Sequence, residues 1–240
     1  MAETIEKVIF LNFLDSNTSD NDAIIKVLGE KNSFYLLAQG VNKSESKNRN
    51  NLIPGALVEI EYFKARLANN TSKLKKANIL SNIDLKNIEN LKFLQQIILY
   101  LSNFEQRTTK IYNAYLQVLD AFELLTSVQK IYAKTFLIMQ GLEYWGINPN
   151  FFACCDCGQR EQIVDFRFEH GGYKCIKHAG NYRKSHKLLM LFYYAKNDFY
   201  AYLKEATVEL DYQIYYELLN HIKNNGIYIN WENFDKKKVK

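Results

Sequence analysis

The sequence predicts an α+β fold, in which an N-terminal β-barrel precedes an α-helical bundle that carries an inserted cysteine-rich module. Three observations support this prediction. Short segments of alternating apolar residues extend from Thr4 to about Leu80, helical periodicity follows Ser81, and every cysteine falls within residues 154–175. We therefore predict four regions, at 1–80 for the barrel, 81–150 and 183–240 for the helical bundle, and 151–182 for the inserted module.

The first region contains five segments with the composition of β-strands. They are rich in β-branched and aromatic residues, and Asn, Gly, Ser and Pro separate them. Five strands in so short a stretch fit a small closed or partly closed barrel such as the OB-fold, although a generic small sheet would give the same pattern. The segments are 7–13, 23–28, 33–38, 56–63 and 74–80.

Apolar residues in the following regions recur at the spacing of about 3.6 residues that is typical of helices. One stripe lies within 91–101 and a longer one within 128–142. Gly146 and Pro149 then end the second helix in the usual order. Because the helical pattern resumes within 188–222, the cysteine-rich stretch is an insertion between helices.

The composition of the sequence indicates a folded protein that does not span a membrane. An apolar content of 48% is sufficient for folded cores. The sequence has no apolar run of about eighteen residues and no signal-peptide pattern, so we expect a cytoplasmic protein without a membrane partner. In a reducing compartment, clustered cysteines are expected to be metal ligands or catalytic thiols rather than disulfides. The net charge of +5 permits a polyanionic partner without requiring one.

Two closely spaced pairs of metal-ligating residues lie in the insertion. Cys154 pairs with Cys157, and Cys175 pairs with His178, with two residues between the members of each pair. Two such pairs joined by a loop are the pattern of a closed tetrahedral zinc site. Gly158 supports it, because the backbone must turn sharply after the second cysteine. The sequence therefore predicts one structural Zn²⁺ held by these four side chains.

Other assignments of the cluster remain open. Cys155 could replace Cys154, and His170 or His186 could be the fourth ligand, although their spacing is less symmetrical. A redox Cys-x-x-Cys motif would need a βαβ context, and a catalytic zinc would need an open coordination position. The segment 163–172 reads as a hairpin of a zinc ribbon, with two glycines at its turn.

Catalytic motifs are absent from the sequence, which has no phosphate-binding glycine loop, nucleophile elbow or dinucleotide fingerprint. We therefore predict a protein that is not an enzyme.

Basic residues form three groups. The polar loop 41–51 interleaves cations with amide side chains that can bind phosphate oxygens, and further cations follow within 66–76. The stretch 171–197 contains six lysines and arginines and no acidic residue. Each group alone would fit a solvated surface, but together they favour a nucleic-acid partner. The candidate nucleic-acid-binding residues are Lys43, Lys47, Arg49, Arg66, Lys73, Lys75, Lys76, Lys174, Arg183 and Lys184.

The order of these parts resembles the RecO family of bacterial recombination mediators over nearly the whole chain. The most specific pieces are the loop within 38–49 and the Cys-x-x-Cys-Gly of 154–158, which follows the Gly146 to Pro149 turn. Residues 52–55 and 171–175 are also similar. Two features depart from the family pattern: His178 stands where a fourth cysteine is common, and the glycine expected before the third strand is missing near Lys31-Asn32.

The resemblance implies a function in DNA repair and recombination after DNA damage, on an OB-fold, a helical bundle and a zinc module. It implies binding to single-stranded and double-stranded DNA, annealing of complementary strands, and help in loading RecA together with RecR. It also implies a second protein partner, the acidic C-terminal tail of single-stranded DNA-binding protein, and a nucleoid-associated location in the cytoplasm.

Two other functions remain compatible with the sequence. A zinc-ribbon and OB-fold protein of translation or transcription would prefer RNA, and a protein-docking scaffold would not bind DNA. If bases stack on the barrel, the candidate side chains are aromatic, although about half of them must face the core. They are Phe10, Phe13, Phe34, Tyr35 and Tyr62.

Overall fold

The computed structural model of the protein describes residues 3–17, 19–67, 70–81 and 83–229. Its strands are Glu3–Asp15 (β1), Ala23–Leu28 (β2), Ser33–Ala38 (β3), Leu57–Phe63 (β4), Ser72–Ile79 (β5), Ile163–Arg167 (β6) and Gly172–Cys175 (β7). Its α-helices are Lys47–Asn51 (α1), Ile88–Leu101 (α2), Thr109–Ala121 (α3), Ser127–Tyr144 (α4), His186–Asn197 (α5), Phe199–Glu205 (α6) and Val208–Asn224 (α7), with a 3-10 turn at Phe122–Leu124. The end of the predicted region 183–240, from residue 230 onward, lies outside the described residues.

The first five strands form a closed barrel in the order β1-β2-β3-β5-β4. β1 is long enough to pair with two neighbours, because its first half is antiparallel to β4 and its second half to β2. β3 and β5 are parallel and share only two residue pairs. On β4, alternate side chains point inward, and Val58, Ile60 and Tyr62 are buried while their neighbours are half-buried. This alternation is the one that the sequence pattern predicts for a half-buried strand.

Beyond the short stretch of β5 that pairs with β3, the side-chain amides of helix α1 form hydrogen bonds with the β5 backbone. The amide nitrogen of Asn48 donates to the Lys75 carbonyl at 3.3 Å, and its oxygen accepts from the Ala77 N–H at 3.0 Å. Asn51 accepts from the Ile79 N–H at 3.4 Å. The expectation of a loop whose amides are available to phosphate is therefore wrong for these two asparagines, because they satisfy the backbone of β5.

Helices α2 and α3 belong to the same compact unit as the barrel, and a second unit spans Leu124–Tyr228. The helical region predicted at 81–150 is thus divided between the two units. The buried Tyr115 hydroxyl on α3 donates to the Gly55 carbonyl at 2.7 Å, at a left-handed glycine whose Cβ would collide with Leu94. The nearly buried Lys26 on β2 forms an ion pair with Glu105 between the two helices, at 2.6 Å.

The second unit contains the β6-β7 hairpin and helices α4 to α7; α5 packs against β6, and the four helices contact one another. Helix α4 begins with a capping box, in which Thr126 and Gln129 exchange hydrogen bonds. The core is aromatic, and Phe166 of β6 stacks on Phe192 of α5 with ring centroids 4.2 Å apart. The predicted apolar stripe after residue 188 forms two helices, because Asp198 is extended and its side chain caps α6. Among the described residues, no helix is both long and apolar enough to cross a lipid bilayer.

Replacing Asn48 with alanine is expected to destabilise the barrel unit by about 1–3 kcal/mol, because the Ala77 N–H and the Lys75 carbonyl both lose their side-chain partner. Urea-induced unfolding measures this change through the transition midpoint. Asn50→Ala is the matched control, since Asn50 is exposed on the same helix, and it should change stability by no more than about 0.5 kcal/mol. Equal midpoints for the two variants would contradict the pairing of α1 with β5.

Candidate metal centre and nucleic-acid surfaces

A close contact between Asn150 and Gly172 positions the chain that enters the cysteine-rich module. The Asn150 N–H donates to the Gly171 carbonyl at 2.8 Å, and the Tyr173 N–H donates to the Asn150 carbonyl at 3.1 Å. Gly172 has φ +121°, and a Cβ at that position would lie 2.3 Å from the Asn150 oxygen. The side-chain oxygen of Asn150 also accepts from the N–H groups of Phe152 and Ala153, at 2.9 and 3.0 Å. The first metal-binding turn is thereby fixed beside β7.

Each pair of candidate ligands lies on a tight turn. The Gly158 N–H donates to the Cys154 carbonyl at 2.8 Å, and Gly158 adopts φ +74°, which is a glycine conformation. In the second turn, the N–H groups of His178 and Ala179 both donate to the Cys175 carbonyl at 2.9 Å. These turns direct the side chains of each pair to one point.

The structure brings the four predicted ligands together. The ligand atoms of Cys154, Cys157, Cys175 and His178 all lie within 4.8 Å of one another and could bind a metal ion. The sulfurs of Cys157 and Cys175 are 3.8 Å apart, and His178 Nδ1 lies 3.6 Å from the Cys154 sulfur and 3.3 Å from that of Cys175. Two thiolates bound at about 2.3 Å to a tetrahedral zinc would be about 3.8 Å apart. The residues therefore fit this metal.

The surroundings of the cluster lower the pKa of two of its thiols, Cys154 and Cys175, and raise the pKa of the third, Cys157. Burial raises the pKa of the Cys154 thiol, but backbone hydrogen bonds from Cys175, Asp156 and Cys157 outweigh it and lower the pKa to about 6. Burial likewise raises the pKa of Cys175, but the hydrogen bond to His178 helps to bring it below its usual range. The same contacts with Cys175 and Cys154 raise the pKa of His178. The two sulfurs that are stabilised as thiolates, those of Cys154 and Cys175, are suited to bind a cation.

The structure separates the other candidate ligands from the cluster. The Cys155 thiol donates to the His170 carbonyl at 3.1 Å, so its sulfur turns away from the other cysteines. The cluster of possible metal ligands found among the described residues includes neither Cys155, nor His170, nor His186. His186 instead begins α5.

Not all of the predicted cations beside the cluster are available to a ligand. Lys174 is buried, and its ammonium contacts both carboxylate oxygens of Asp156 at 2.9 and 2.7 Å. This hydrogen bond raises the pKa of Lys174 and lowers that of Asp156. Lys184 forms an ion pair with Glu217 at 2.7 Å, whereas the exposed Arg183 contacts two backbone carbonyls. Among these three, Arg183 is therefore the residue that presents its charge to solvent.

The barrel presents an exposed group of cations on α1 and the loop before it. Lys43, Lys47 and Arg49 are all exposed. The Arg49 guanidinium lies 4.0 Å from the ring centroid of Phe13 on β1, and it donates to the Asn42 side chain at 3.4 Å. A cation over an aromatic face is held in place while its N–H groups remain directed outward.

Further predicted cations lie on β5, next to α1. Lys73, Lys75 and Lys76 are exposed, but Lys75 forms ion pairs with Glu3 and Glu61. Arg66 is exposed in the connection between β4 and β5. Because α1 packs along β5, the structure places two of the predicted basic groups on neighbouring elements of one unit.

The barrel aromatics separate into two groups. Phe10 and Tyr62 are buried, so they are part of the core. Phe13 and Phe34 are half-buried, and Tyr35 is 42% exposed. Sequence alternation alone could not make this division, because β1 has a register shift between Phe10 and Asn12.

Residues 84–197 match the family model described as "Recombination protein O C terminal". A search of curated proteins gave no match.

A solved structure, the asparaginyl-tRNA synthetase of Entamoeba histolytica, aligns at 11% identity over 72% of this chain, with a TM-score of 0.28. The chain spans 39% of that protein's length, and a likeness at this score supports no statement about fold or function. The family match agrees with the resemblance found in the sequence, and residues 84–197 of the chain belong to the RecO family of recombination proteins as its C-terminal domain.

Proposed function

We propose that this protein is a DNA repair and homologous recombination mediator, which binds single-stranded DNA, anneals complementary strands and assists RecA loading together with RecR. The observation that carries the proposal is the family match over residues 84–197. The exposed cations on the barrel, Lys43, Lys47 and Arg49, support the proposal because they form a positively charged surface that can bind phosphates. Annealing makes and breaks no covalent bond, so the proposal assigns no catalytic residue.

We also infer that the barrel is an OB-fold. Its strand order β1-β2-β3-β5-β4 and the short parallel contact between β3 and β5 support this inference. OB-folds bind oligonucleotides on the face of strands 2 and 3 and on the loops between strands 1 and 2 and between strands 4 and 5. Arg66 lies in the second of these loops, and Tyr35 lies on β3.

The proposed DNA track combines Lys43, Lys47 and Arg49 with the β5 cations. The asparagines of α1 hold this helix against β5, and Phe13 supports the Arg49 guanidinium. A single strand that follows these cations would have its phosphates neutralised and release counterions. Two strands held in this way no longer repel one another strongly, and their bases remain free to pair.

The cysteine cluster is proposed to hold one structural Zn²⁺. Four protein side chains complete a tetrahedral shell and leave no position for a substrate, which supports a structural role. When bound, the metal would supply cross-links between the two turns. Cys154 and Cys157 would hold it from the first turn, and Cys175 and His178 from the second.

The proposed partners follow from the family. They are single-stranded and double-stranded DNA, RecR, the C-terminal tail of single-stranded DNA-binding protein and, indirectly, RecA. We expect the protein to work in the cytoplasm, in association with the nucleoid.

Replacing Lys43, Lys47 and Arg49 together with alanine should weaken binding to single-stranded DNA of any sequence by about tenfold or more at low salt. The dependence of log affinity on log salt should also become shallower, by about 0.7 for each phosphate contact that is lost. Fluorescence anisotropy of a labelled oligonucleotide at several salt concentrations measures both quantities, and an annealing assay should show a parallel loss of rate.

The matched control is Lys86→Ala, Lys92→Ala and Lys110→Ala in one variant, which removes the same charge from exposed positions of the same unit. Equal affinities for the two triple variants would remove the barrel track from the DNA surface. A wild-type protein that prefers structured RNA at matched salt would indicate a translation or transcription protein. One that binds neither nucleic acid would indicate a docking scaffold.

Cys157→Ser should abolish the zinc content of the purified protein, which is expected to be one ion per chain in the wild type. Structural zinc sites contribute on the order of 10 kcal/mol to folding of the segment that they cross-link, so the module should become susceptible to proteolysis. Plasma mass spectrometry measures the metal. The barrel unit should keep its unfolding transition, because it contains none of the ligands.

Cys155→Ser is the control for the zinc variant, because this thiol points to the His170 carbonyl and not into the cluster. It should retain one zinc per chain and wild-type resistance to protease. Loss of metal from this variant equal to that from Cys157→Ser would mean that Cys155 is a ligand.

A further inference from the structure

A groove in the second unit lies beside the first metal-binding turn and has no place in the function proposed so far. Its volume is about 420 Å³, which is within the range of about 300–1,000 Å³ typical of ligand pockets. Most of its walls are aromatic or aliphatic. Its lining includes Phe152, Arg160, Gln162, Tyr173, His186 and Tyr193.

Phe152 presents an unusually open ring at this groove. Its side chain is 61% exposed, although its backbone is fixed by the Asn150 side chain at 2.9 Å. Tyr193 of α5 meets it edge to face, with ring centroids 6.2 Å apart and an angle of 87° between the rings. The two rings therefore form a corner in which one face of Phe152 remains in contact with water. A large apolar ring that is exposed to solvent on a fixed backbone is a feature of binding sites.

The floor of the groove is rigid and partly strained. The Tyr173 hydroxyl donates to the Leu189 carbonyl at 2.6 Å, which joins β7 to α5 beneath the rings. Gln162 has φ +53°, a left-handed conformation that is unfavourable for a residue with a side chain. Such strain is often retained at functional sites. The side-chain amide of Gln162 offers both a donor and an acceptor to a ligand in the groove.

The charged side chains that line the groove favour an anionic ligand. Among the described residues that line the groove there is no carboxylate, and the basic members are Arg160 and His186. Both are exposed, and Lys187 follows His186 at the start of α5. A ligand with one flat apolar part and one anionic part fits this combination of stacking ring, amide and cation.

We propose that this groove binds one nucleotide of single-stranded nucleic acid, with the base stacked on Phe152 and the adjoining phosphate contacted by Arg160 and His186. Gln162 would then meet the edge of the base. The inference rests on the proposed function, because it adds a second subsite for the same ligand. Bases stacked on aromatic side chains bind without sequence preference, as annealing of arbitrary strands requires.

The test compares Phe152→Ala with the wild type on two probes, a thymidine oligonucleotide of about 20 nucleotides and an abasic phosphodiester backbone of the same length. Loss of one stacked base should weaken thymidine binding by about fivefold or more and leave the abasic probe nearly unchanged. Tyr216→Ala is the matched control, since Tyr216 is exposed to a similar degree, 58%, in the same unit and does not line the groove. It should bind both probes as the wild type does.

Two further variants separate stacking from folding defects. Phe152→Tyr keeps an aromatic face and should restore thymidine binding, whereas Arg160→Ala should weaken both probes and reduce the salt dependence. Zinc content and circular dichroism should be unchanged in every variant. The proposal would be overturned if Phe152→Tyr bound thymidine as weakly as Phe152→Ala does. It would also be overturned if Phe152→Ala lost equal affinity for the thymidine and the abasic probes.

Photo-crosslinking gives a local readout. An oligonucleotide containing iododeoxyuridine should form a covalent adduct with the peptide that carries Phe152 or Tyr193, identified by mass spectrometry, and Phe152→Ala should remove the adduct at residue 152. Adducts confined to the barrel would overturn the proposal. Inhibition of adduct formation by a competing acidic apolar peptide, with thymidine affinity equal in wild type and Phe152→Ala, would also overturn it and mark a peptide groove.

Failure of this inference can be distinguished from failure of the proposed function. If thymidine affinity is unchanged in Phe152→Ala but falls in the Lys43, Lys47 and Arg49 variant, the groove assignment is wrong and the proposed function stands. If the wild type binds neither probe, the proposed function is wrong and this site is wrong with it.

Discussion

The contact between Asn150 and Gly172 is the constraint on which the cysteine-rich module depends. The backbones approach so closely that any side chain at residue 172 would overlap the Asn150 carbonyl. The same asparagine uses its side chain to fix the two residues that follow Phe151. One residue therefore fixes both the start of the first metal-binding turn and the backbone that carries the Phe152 ring. The metal cluster and the groove are consequences of one local geometry.

In the barrel unit, a comparable role belongs to side-chain amides. Asn48 and Asn51 hold α1 against β5, which determines where Lys47 and Arg49 lie relative to the β5 lysines. Phe13 further limits the Arg49 guanidinium to one side of the helix. The proposed phosphate track is therefore built on fixed elements, although three of its cations lie in a stretch that reads as a loop. Fixed cations lose less conformational freedom when they bind phosphate.

The metal cluster could be predicted from the sequence because its ligands are close together along the chain. The spacing of Cys154, Cys157, Cys175 and His178 was sufficient to identify the cluster, since each pair sits on one turn. The ion pair that occupies Lys174 was not predictable, because Asp156 is distant in sequence and reaches it only through the hairpin. The bounds of β2 and β3 could be predicted from the alternation of apolar residues and from the turn residues that flank them. The hydrogen bonds of the α1 asparagines could not, because they form only where β3 ends and leaves the backbone of β5 without a neighbouring strand.

The pairing of α1 with β5 has a consequence for solubility. An unpaired strand edge can recruit a strand from another molecule and begin aggregation, and proteins commonly cover such edges. β3 covers only two residue pairs of β5, so the backbone of β5 beyond Lys73 would otherwise be open to a second chain. The asparagine amides cover it with a helix that cannot continue the sheet. This basic helix therefore also limits self-association through the edge of β5.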